Sequence, residues 1–302
     1  YPGPEVQYHF VNIDVKISTK LTFHFLSSQM VTSNVEAYYP SLAQQYNNGY
    51  RLLTFCHIPG QVNKQNKSVA MFANGIPMQF QAIFCKYPDS PAKGKFHLSI
   101  EKSVIQPQNV WSGIVSARSE AVTDTSHLIE TIATKAQAGA RLVCIELTGE
   151  EEYQASFNLP QKMPILGVDI FFEIPNDAPK ELYIYNVVSS PVTIKYSFGM
   201  RPAPKVICDW QELLDKHLSL GYRLVDIFID GTQSTQVKWC AFSTEVTKNT
   251  QWFFEKPLSQ VNDNTPAYQG TVVEHKVKIM QGGIHGSKTI TEWETVMEVN
   301  KI

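Results

Sequence analysis

Apolar residues follow two periods along this chain. Helical spacing appears in three places: Val35, Tyr38, Leu42 and Tyr46; Leu128, Ile132 and Ala136; and Trp210, Leu214 and Leu218. Elsewhere the apolar positions alternate. Met78, Phe80, Ala82 and Phe84 do so, as do Phe96, Leu98 and Ile100 with His97, Ser99 and Glu101 between them. Segments 168–175, 181–188, 191–198 and 237–244 are strand-like in the same way. The first 27 residues predict two strands around a Ser18-Thr19-Lys20 turn, and the C-terminal part predicts a hairpin of 271–280 and 288–299.

The three helical segments lead into one repeated motif. Gly49-Tyr50-Arg51-Leu52-Leu53-Thr54-Phe55, Gly139-Ala140-Arg141-Leu142-Val143-Cys144-Ile145 and Gly221-Tyr222-Arg223-Leu224-Val225-Asp226-Ile227 share the pattern G-x-R-L-[LV]-x-[FI]. A helix that ends on a left-handed residue favours Gly, because a Cβ is strained there. The motif therefore predicts helix, Gly, strand, with each Leu on the buried face and each Arg on the other. For the arginines, repeated structure with the stem covering a neighbouring helix is favoured over a recurring anion site. Capping boxes are expected at Ser33 with Glu36 and at Asp209 with Glu212, and Asp124 or Thr125 caps the second helix. Pro40 either begins the first helix or kinks it.

Strands, helix, strands, three times over, with consecutive strands close in sequence, predict an α+β fold. It is expected as three tandem helix-then-strand units with mainly antiparallel sheets and helices on the sheet face. The units would span 1–105, 106–205 and 206–302.

Composition narrows function more than fold. Charged residues are 18%, below the average of about 25%, and the net charge is −2 with mixed signs. Neither a nucleic-acid-binding basic face nor a polybasic membrane patch is present. The five cysteines, Cys56, Cys85, Cys144, Cys208 and Cys240, form no CxxC pair and read as reduced cytosolic thiols. No run of eighteen apolar residues occurs. The sequon Asn66-Lys67-Ser68 carries no weight in a cytosolic chain.

Candidate chemistry fails residue by residue. In Gln281-Gly282-Gly283-Ile284-His285-Gly286-Ser287-Lys288-Thr289, Ser287 separates the Gly from the Lys of a phosphate loop. A β-branched segment follows where a helix would be needed, so the run predicts a hairpin loop. Glu150-Glu151-Glu152 reads as a solvated turn. The eight histidines show no metal-ligand spacing, and Cys56-His57 would point to opposite faces of one strand. Tyr38-Tyr39, Phe171-Phe172 and Trp252-Phe253-Phe254 are core clusters or, where exposed, a partner surface. No catalytic, cofactor-binding or metal-ligating residue, and no cofactor, is expected.

Four stretches resemble the raftlins, acylated proteins of membrane rafts. Residues 36–59 resemble that family's first helix-Gly-strand segment, 124–145 its second, and 209–229, with Asp209-Trp210 and Gly221, its third. Residues 272–279, opening Val272-Val273-Glu274, resemble a VVE strand that follows. The family's long polar insertion after the second unit is replaced here by 153–205, which read as folded. The resemblance implies a non-enzymatic, raft-associated peripheral scaffold that supports receptor signalling and endocytic trafficking. It implies attachment through acyl groups upstream of Tyr1, at the cytoplasmic face of the plasma membrane or endosomes. The partners would be other proteins, with no nucleic acid and no nucleotide. The alternative is a cytosolic interaction subunit of a larger assembly with no membrane role.

Overall fold

A computed structural model describes residues 5–21, 29–33, 35–58, 76–88, 93–110, 118–148, 166–197, 205–238, 243–283 and 286–301. The chain divides into two compact units, Tyr1–Val110 with Ala121–Ile184, and Trp111–Glu120 with Tyr185–Ile302.

The first unit holds β1 (Gln7–Leu21), β2 (Gln29–Ser33), α1 (Val35–Asn47), β3 (Arg51–His57) and β4 (Ile76–Lys86). These strands form a sheet of order β2-β1-β4-β3. Next come β5 (Phe96–Ile105) and β6 (Pro107–Val110), then β7 (Arg118–Thr123), where the chain passes from one unit to the other. Helix α2 (Ser126–Gln137), β8 (Arg141–Thr148) and β9 (Leu166–Pro175) follow, giving a second sheet of order β5-β9-β8. The second unit contains most of β10 (Tyr183–Ser197), then β11 (Lys205–Ile207), α3 (Trp210–Leu218), β12 (Arg223–Lys238) and β13 (Ser243–Pro257). These four strands are adjacent in the order β11-β10-β13-β12, the same order as β2-β1-β4-β3. A ribbon of β14 (Tyr268–Gly283) and β15 (Gly286–Lys301) completes it.

This corrects the expected fold class. The protein is predominantly β, with fifteen strands in four sheets against three α-helices among the described residues, and it is not a series of helix-then-strand α+β units. The error came from strand length. Ser18-Thr19-Lys20 makes no turn: it lies inside β1, whose Ile17–Leu21 stretch pairs with β2. Segments 181–188 and 191–198 join in one strand, β10. Polar residues between apolar runs break a strand only when no neighbour takes up their backbone groups.

The repeated motif itself builds the same local geometry each time. Gly49, Gly139 and Gly221 have φ of 84°, 95° and 82°. Each closes a helix with a Schellman pair: Gly49 N–H on Tyr46 O with Tyr50 N–H on Gln45 O, Gly139 on Ala136 with Ala140 on Lys135, and Gly221 on Leu218 with Tyr222 on His217. Each following strand bulges one residue past its Leu. The register slips between Leu52 and Thr54, Leu142 and Cys144, and Leu224 and Asp226. Leu52 and Leu142 are buried, and Leu224 is half-buried against Trp252 and Phe254.

Of the expected caps, only Asp124 among the described side chains engages a helix start, while neither Thr125 nor Asp209 makes a side-chain cap bond and the Ser33 side chain lies outside the described residues. Asp124 Oδ1 accepts from the N–H and hydroxyl of Ser126, the first residue of α2, and Glu36 pairs with Lys102. Helix α1 runs through Pro40. Packing therefore holds these helices more than capping does. Helix α1 buries Val35, Tyr38, Leu42 and Tyr46. In the core below it, Phe55 lies between Phe80 and Phe171 at centroid distances of 5.0 and 4.8 Å. Each such ring contributes about 1.5–3 kcal/mol through burial.

Candidate functional site

The motif arginines are held by the protein's own carboxylates. On β3, Arg51 Nε donates to Glu173 Oε1 and Oε2 at 2.9 and 3.0 Å, and Nη2 donates to Oε2. The guanidinium also lies 4.4 Å from the ring centroid of Phe96. Arg223 on β12 donates through Nη1 to Glu255 Oε1 at 2.7 Å, and Tyr185 OH donates to Glu255 Oε2 at 3.4 Å. Arg141 sits 4.4 Å over the ring of Tyr183. The expected pattern of arginines as simple stem cover is thus replaced by two internal ion pairs and two cation–π contacts. The anion that a G-x-R-L arginine binds here is a buried glutamate.

That glutamate had a sequence signal. Phe172-Glu173-Ile174-Pro175 and Phe254-Glu255-Lys256-Pro257 share F-E-x-P, and each Phe faces the motif Leu across the ladder. In the first repeat Phe84 faces Leu52, but Cys85 stands where the Glu would be. Arg51 lacks a carboxylate opposite it in its own sheet and uses Glu173 on β9.

Inside the first unit the polar groups are linked. The Tyr46 hydroxyl accepts the N–H of Leu52 at 3.2 Å, beside Glu173. Burial first, and then the charge of Glu173, push the Tyr46 phenol well above its usual range. One helical stretch earlier, Tyr38 OH donates to Asp169 Oδ2 at 2.8 Å, and Asp169 is buried. Two tyrosines of α1 therefore meet two carboxylates on one face of β9. In the second unit, Lys256 is buried with its ammonium 2.8 Å from Leu220 O, 3.5 Å from Val261 O and 3.4 Å from Asn264 Oδ1. It ties the loop after β13 to the C-terminal end of α3. The buried His217, which sequence reading did not single out, stacks on Phe254 at 4.1 Å.

A shallow open cleft of about 420 Å³ lies between the start of α1 and β5, lined by Val35, Glu36, Tyr39 and residues 97–100. Polar groups at its edge bond to protein: His97 Nδ1 to Asn176 Oδ1 at 2.6 Å, Tyr39 OH to Leu98 O at 2.7 Å, and Lys102 to Glu36 at 2.6 Å. The hydrogen bond from Lys102 holds the Glu36 carboxyl below its usual range. Among the described residues no group of three or more His, Cys, Asp or Glu could hold a metal ion, and no helix is long and apolar enough to cross a membrane.

The most exposed large side chains lie on the outer face of the first sheet. Its inner face carries the buried Ile13, Phe80, Ala82 and Phe84. On the other face Tyr8 is 58% and Phe10 57% exposed, opposite Cys85 and Ile83 of β4. The bulge residue Leu53 and Tyr87, just past β4, are also exposed. Toward the other end the face turns polar, with Gln81 Nε2 donating to Asn12 Oδ1 at 3.1 Å.

Of the segments singled out in the sequence, Phe171, Phe172 and residues 252–254 are core, as is Tyr38, while Tyr39 is half-buried. The Gly-rich run joins β14 to β15, with Gly283 opposite Gly286, and a strand follows it. Cys56 lies on β3 with its thiol 3.7 Å from Gln81 O. Glu150-Glu151-Glu152, the sequon and Cys240 lie outside the described residues. Compared with family models, with curated proteins and with solved structures, the chain matches none.

Proposed function

We propose that this protein is a non-enzymatic interaction scaffold of the raftlin kind, held at the cytoplasmic face of the plasma membrane or of endosomes by acyl groups upstream of Tyr1. Its folded units would hold other proteins in receptor signalling and endocytic trafficking. The observation that carries the reading is the outer face of the first sheet. Tyr8 and Phe10, both more than half exposed, stand on β1, and Leu53 on β3 and Tyr87 just past β4 are exposed as well. Exposed aromatics grouped on a rigid element mark protein interfaces. The buried charges, by contrast, are engaged in holding the fold: Arg51 with Glu173, Arg223 with Glu255, and Lys256 with main-chain carbonyls. The four sequence stretches that resemble raftlins supply the membrane part of the reading.

Flotation with raft-like liposomes tests it. The native, acylated protein is expected to float and the bare 302-residue chain to stay in the soluble fraction, because two acyl chains bind firmly where protein surface without a basic cluster does not. Failure of the acylated protein to float favours the cytosolic-subunit alternative. Flotation of the bare chain that is lost in a Tyr8→Ser, Phe10→Ser variant would make the aromatic face a lipid-binding surface instead.

A further inference from the structure

The outer face of the first sheet has a counterpart in the second sheet, and there it is buried. Phe84 and Phe172 each face a motif Leu, so Cys85 corresponds to Glu173. Tyr8 faces Cys85, and Leu98 faces Glu173. Further along the ladders, Phe10 with Ile83 corresponds to Ile100 with Phe171, and the bulge residue Leu53 to Val143. In the second sheet Leu98 and Phe171 share one buried cluster with Tyr38 and Phe55, and Tyr39, Ile100 and Val143 pack against it. The cover is therefore α1 and the strand that follows it. The corresponding Tyr8, Phe10 and Leu53 of the first sheet are exposed.

The cover also holds the edge of the strand. The Asn176 N–H on Lys95 O turns the odd residues of β5 toward β9, so Leu98 turns its peptide groups outward. There the Tyr39 hydroxyl donates to Leu98 O at 2.7 Å. The second unit repeats the contact. Gln211 stands ten residues before Gly221, as Tyr39 stands ten before Gly49. It accepts the Val272 N–H at 2.9 Å and donates to Gly270 O at 3.4 Å, on the edge of β14. At Gly270 a Cβ would lie 2.7 Å from Leu214 Cδ2, so its absence lets α3 come close. Twice, then, the residue at this helix position holds the open edge of a later strand. β1 presents an edge of the same kind. The Ile58 N–H on Gln79 O turns the odd residues of β4 toward β3 and the even ones toward β1, which leaves Tyr8, Phe10 and Asn12 turned outward. β2 pairs with β1 only from Ile17 to Leu21, so among the described residues no strand occupies the edge at 8–12. The segment from Val6 to Ile13 has no Asp, Glu, Lys or Arg, so it suits an apolar partner stripe rather than a charged one.

We propose that this face binds an amphipathic helix of a partner protein, which lies on the first sheet as α1 lies on the second. The helix sets an apolar stripe against Phe10, Ile83 and Leu53, and a hydroxyl or amide side chain against the outward peptide groups at Tyr8. The inference rests on the reading of this face as a protein interface and names the element that fills it. The probe is a dye-labelled, hydrocarbon-stapled peptide of α1, Val35–Asn47, because a helix this short is marginal in water without the staple. Titrated with the full chain and followed by fluorescence anisotropy, it is expected to bind saturably. Tyr8→Ser with Phe10→Ser in the chain should weaken binding by about tenfold or more. Ile229→Ser, at an exposed apolar position of the second unit, should leave it unchanged. Tyr39→Phe in the peptide should weaken it about fivefold through the lost edge contact. Unchanged denaturant midpoints separate lost binding from lost folding in the chain variants. A peptide that does not bind, or binds the serine pair as tightly as the wild type, overturns the proposal. So does a wild type that self-associates in sedimentation velocity and loses this in the serine pair, because a second copy then fills the face. Flotation of the acylated protein without peptide binding sinks this inference alone, and peptide binding without flotation sinks the membrane reading alone.

Discussion

The same arginine of the same motif does different work in the two units. Arg223 pairs with Glu255, its direct neighbour across the β12–β13 ladder. Arg51 faces Cys85 across its own ladder and pairs with Glu173, which belongs to the other sheet of the first unit. Glu173 in turn has Arg141 as its ladder neighbour, and Arg141 lies over Tyr183. In the second unit the pair fastens two strands that the backbone already joins. In the first it fastens two sheets. A repeat sets where a residue stands; what it bonds to depends on the sequence facing it.

The largest effect should come from removing the carboxylates. Glu173→Gln leaves Arg51 without its counter-charge and Tyr46 beside a neutral amide. Glu173 has 4% of its side chain exposed and Arg51 31%, so a cost of about 3 kcal/mol, near the lower end for a buried pair, is expected. Glu255→Gln should cost less, about 1–2 kcal/mol, because the strands it joins remain paired. Denaturant midpoints with unchanged slopes would measure both. Equal losses would break the distinction between an inter-sheet tie and a local pair.

The helix ends offer a second contrast. Gly221→Ala combines a positive φ with a Cβ placed 2.9 Å from the carbonyl oxygen of Thr265, whereas at Gly49 the nearest atom is the flexible Lys86 Cε at 3.5 Å. Roughly 2 kcal/mol or more is expected at Gly221 and about 1 kcal/mol at Gly49. Thermal unfolding of the two variants gives the comparison, and a larger loss at Gly49 would contradict it.

Alkaline pH should act through the first unit. Tyr46 is raised above 10.0, its ordinary value, chiefly by burial. A group raised in the folded state contributes stability that is complete below its unfolded value and lost as pH rises through its folded one. Stability should therefore fall as pH climbs above about 10, and Tyr46→Phe should flatten that fall while lowering stability at neutral pH, because the Leu52 N–H loses its acceptor. Unfolding midpoints against pH for both proteins test this; an identical alkaline slope would remove Tyr46 from the account. The smallest effect belongs to the exposed face. Phe10→Ser should change stability by no more than about 0.5 kcal/mol, and a larger loss would show that the outer face is packed.

Much of the local structure was legible. Helical periodicity located Leu42, Ile132 and Leu214, and all three are buried. The glycine of each motif signalled a left-handed helix end because so few residues tolerate one. The strand boundaries were not legible, because Ser18-Thr19-Lys20 can form a turn or continue a ladder, and β2 decides which. The same holds in part for the capping residues: Asp124 accepts the first N–H of α2 as expected, but Lys102 engages Glu36 and Asp209 makes no side-chain cap bond.

By itself, then, the sequence determined the three helix-Gly-strand motifs, the buried leucines at 52 and 142 and the hairpin at the end of the chain. These depend on backbone preference and apolar period, which act over a few residues. The tertiary structure alone decided that strands dominate, that Arg51 reaches Glu173 while Arg223 stays with Glu255, and that Tyr8 and Phe10 remain exposed while Phe171 and Phe254 are covered. Those outcomes depend on partners far away in sequence. A 122-residue separation between Arg51 and Glu173 has no local signature, because a charge or ring is committed only when folding brings its counterpart to it.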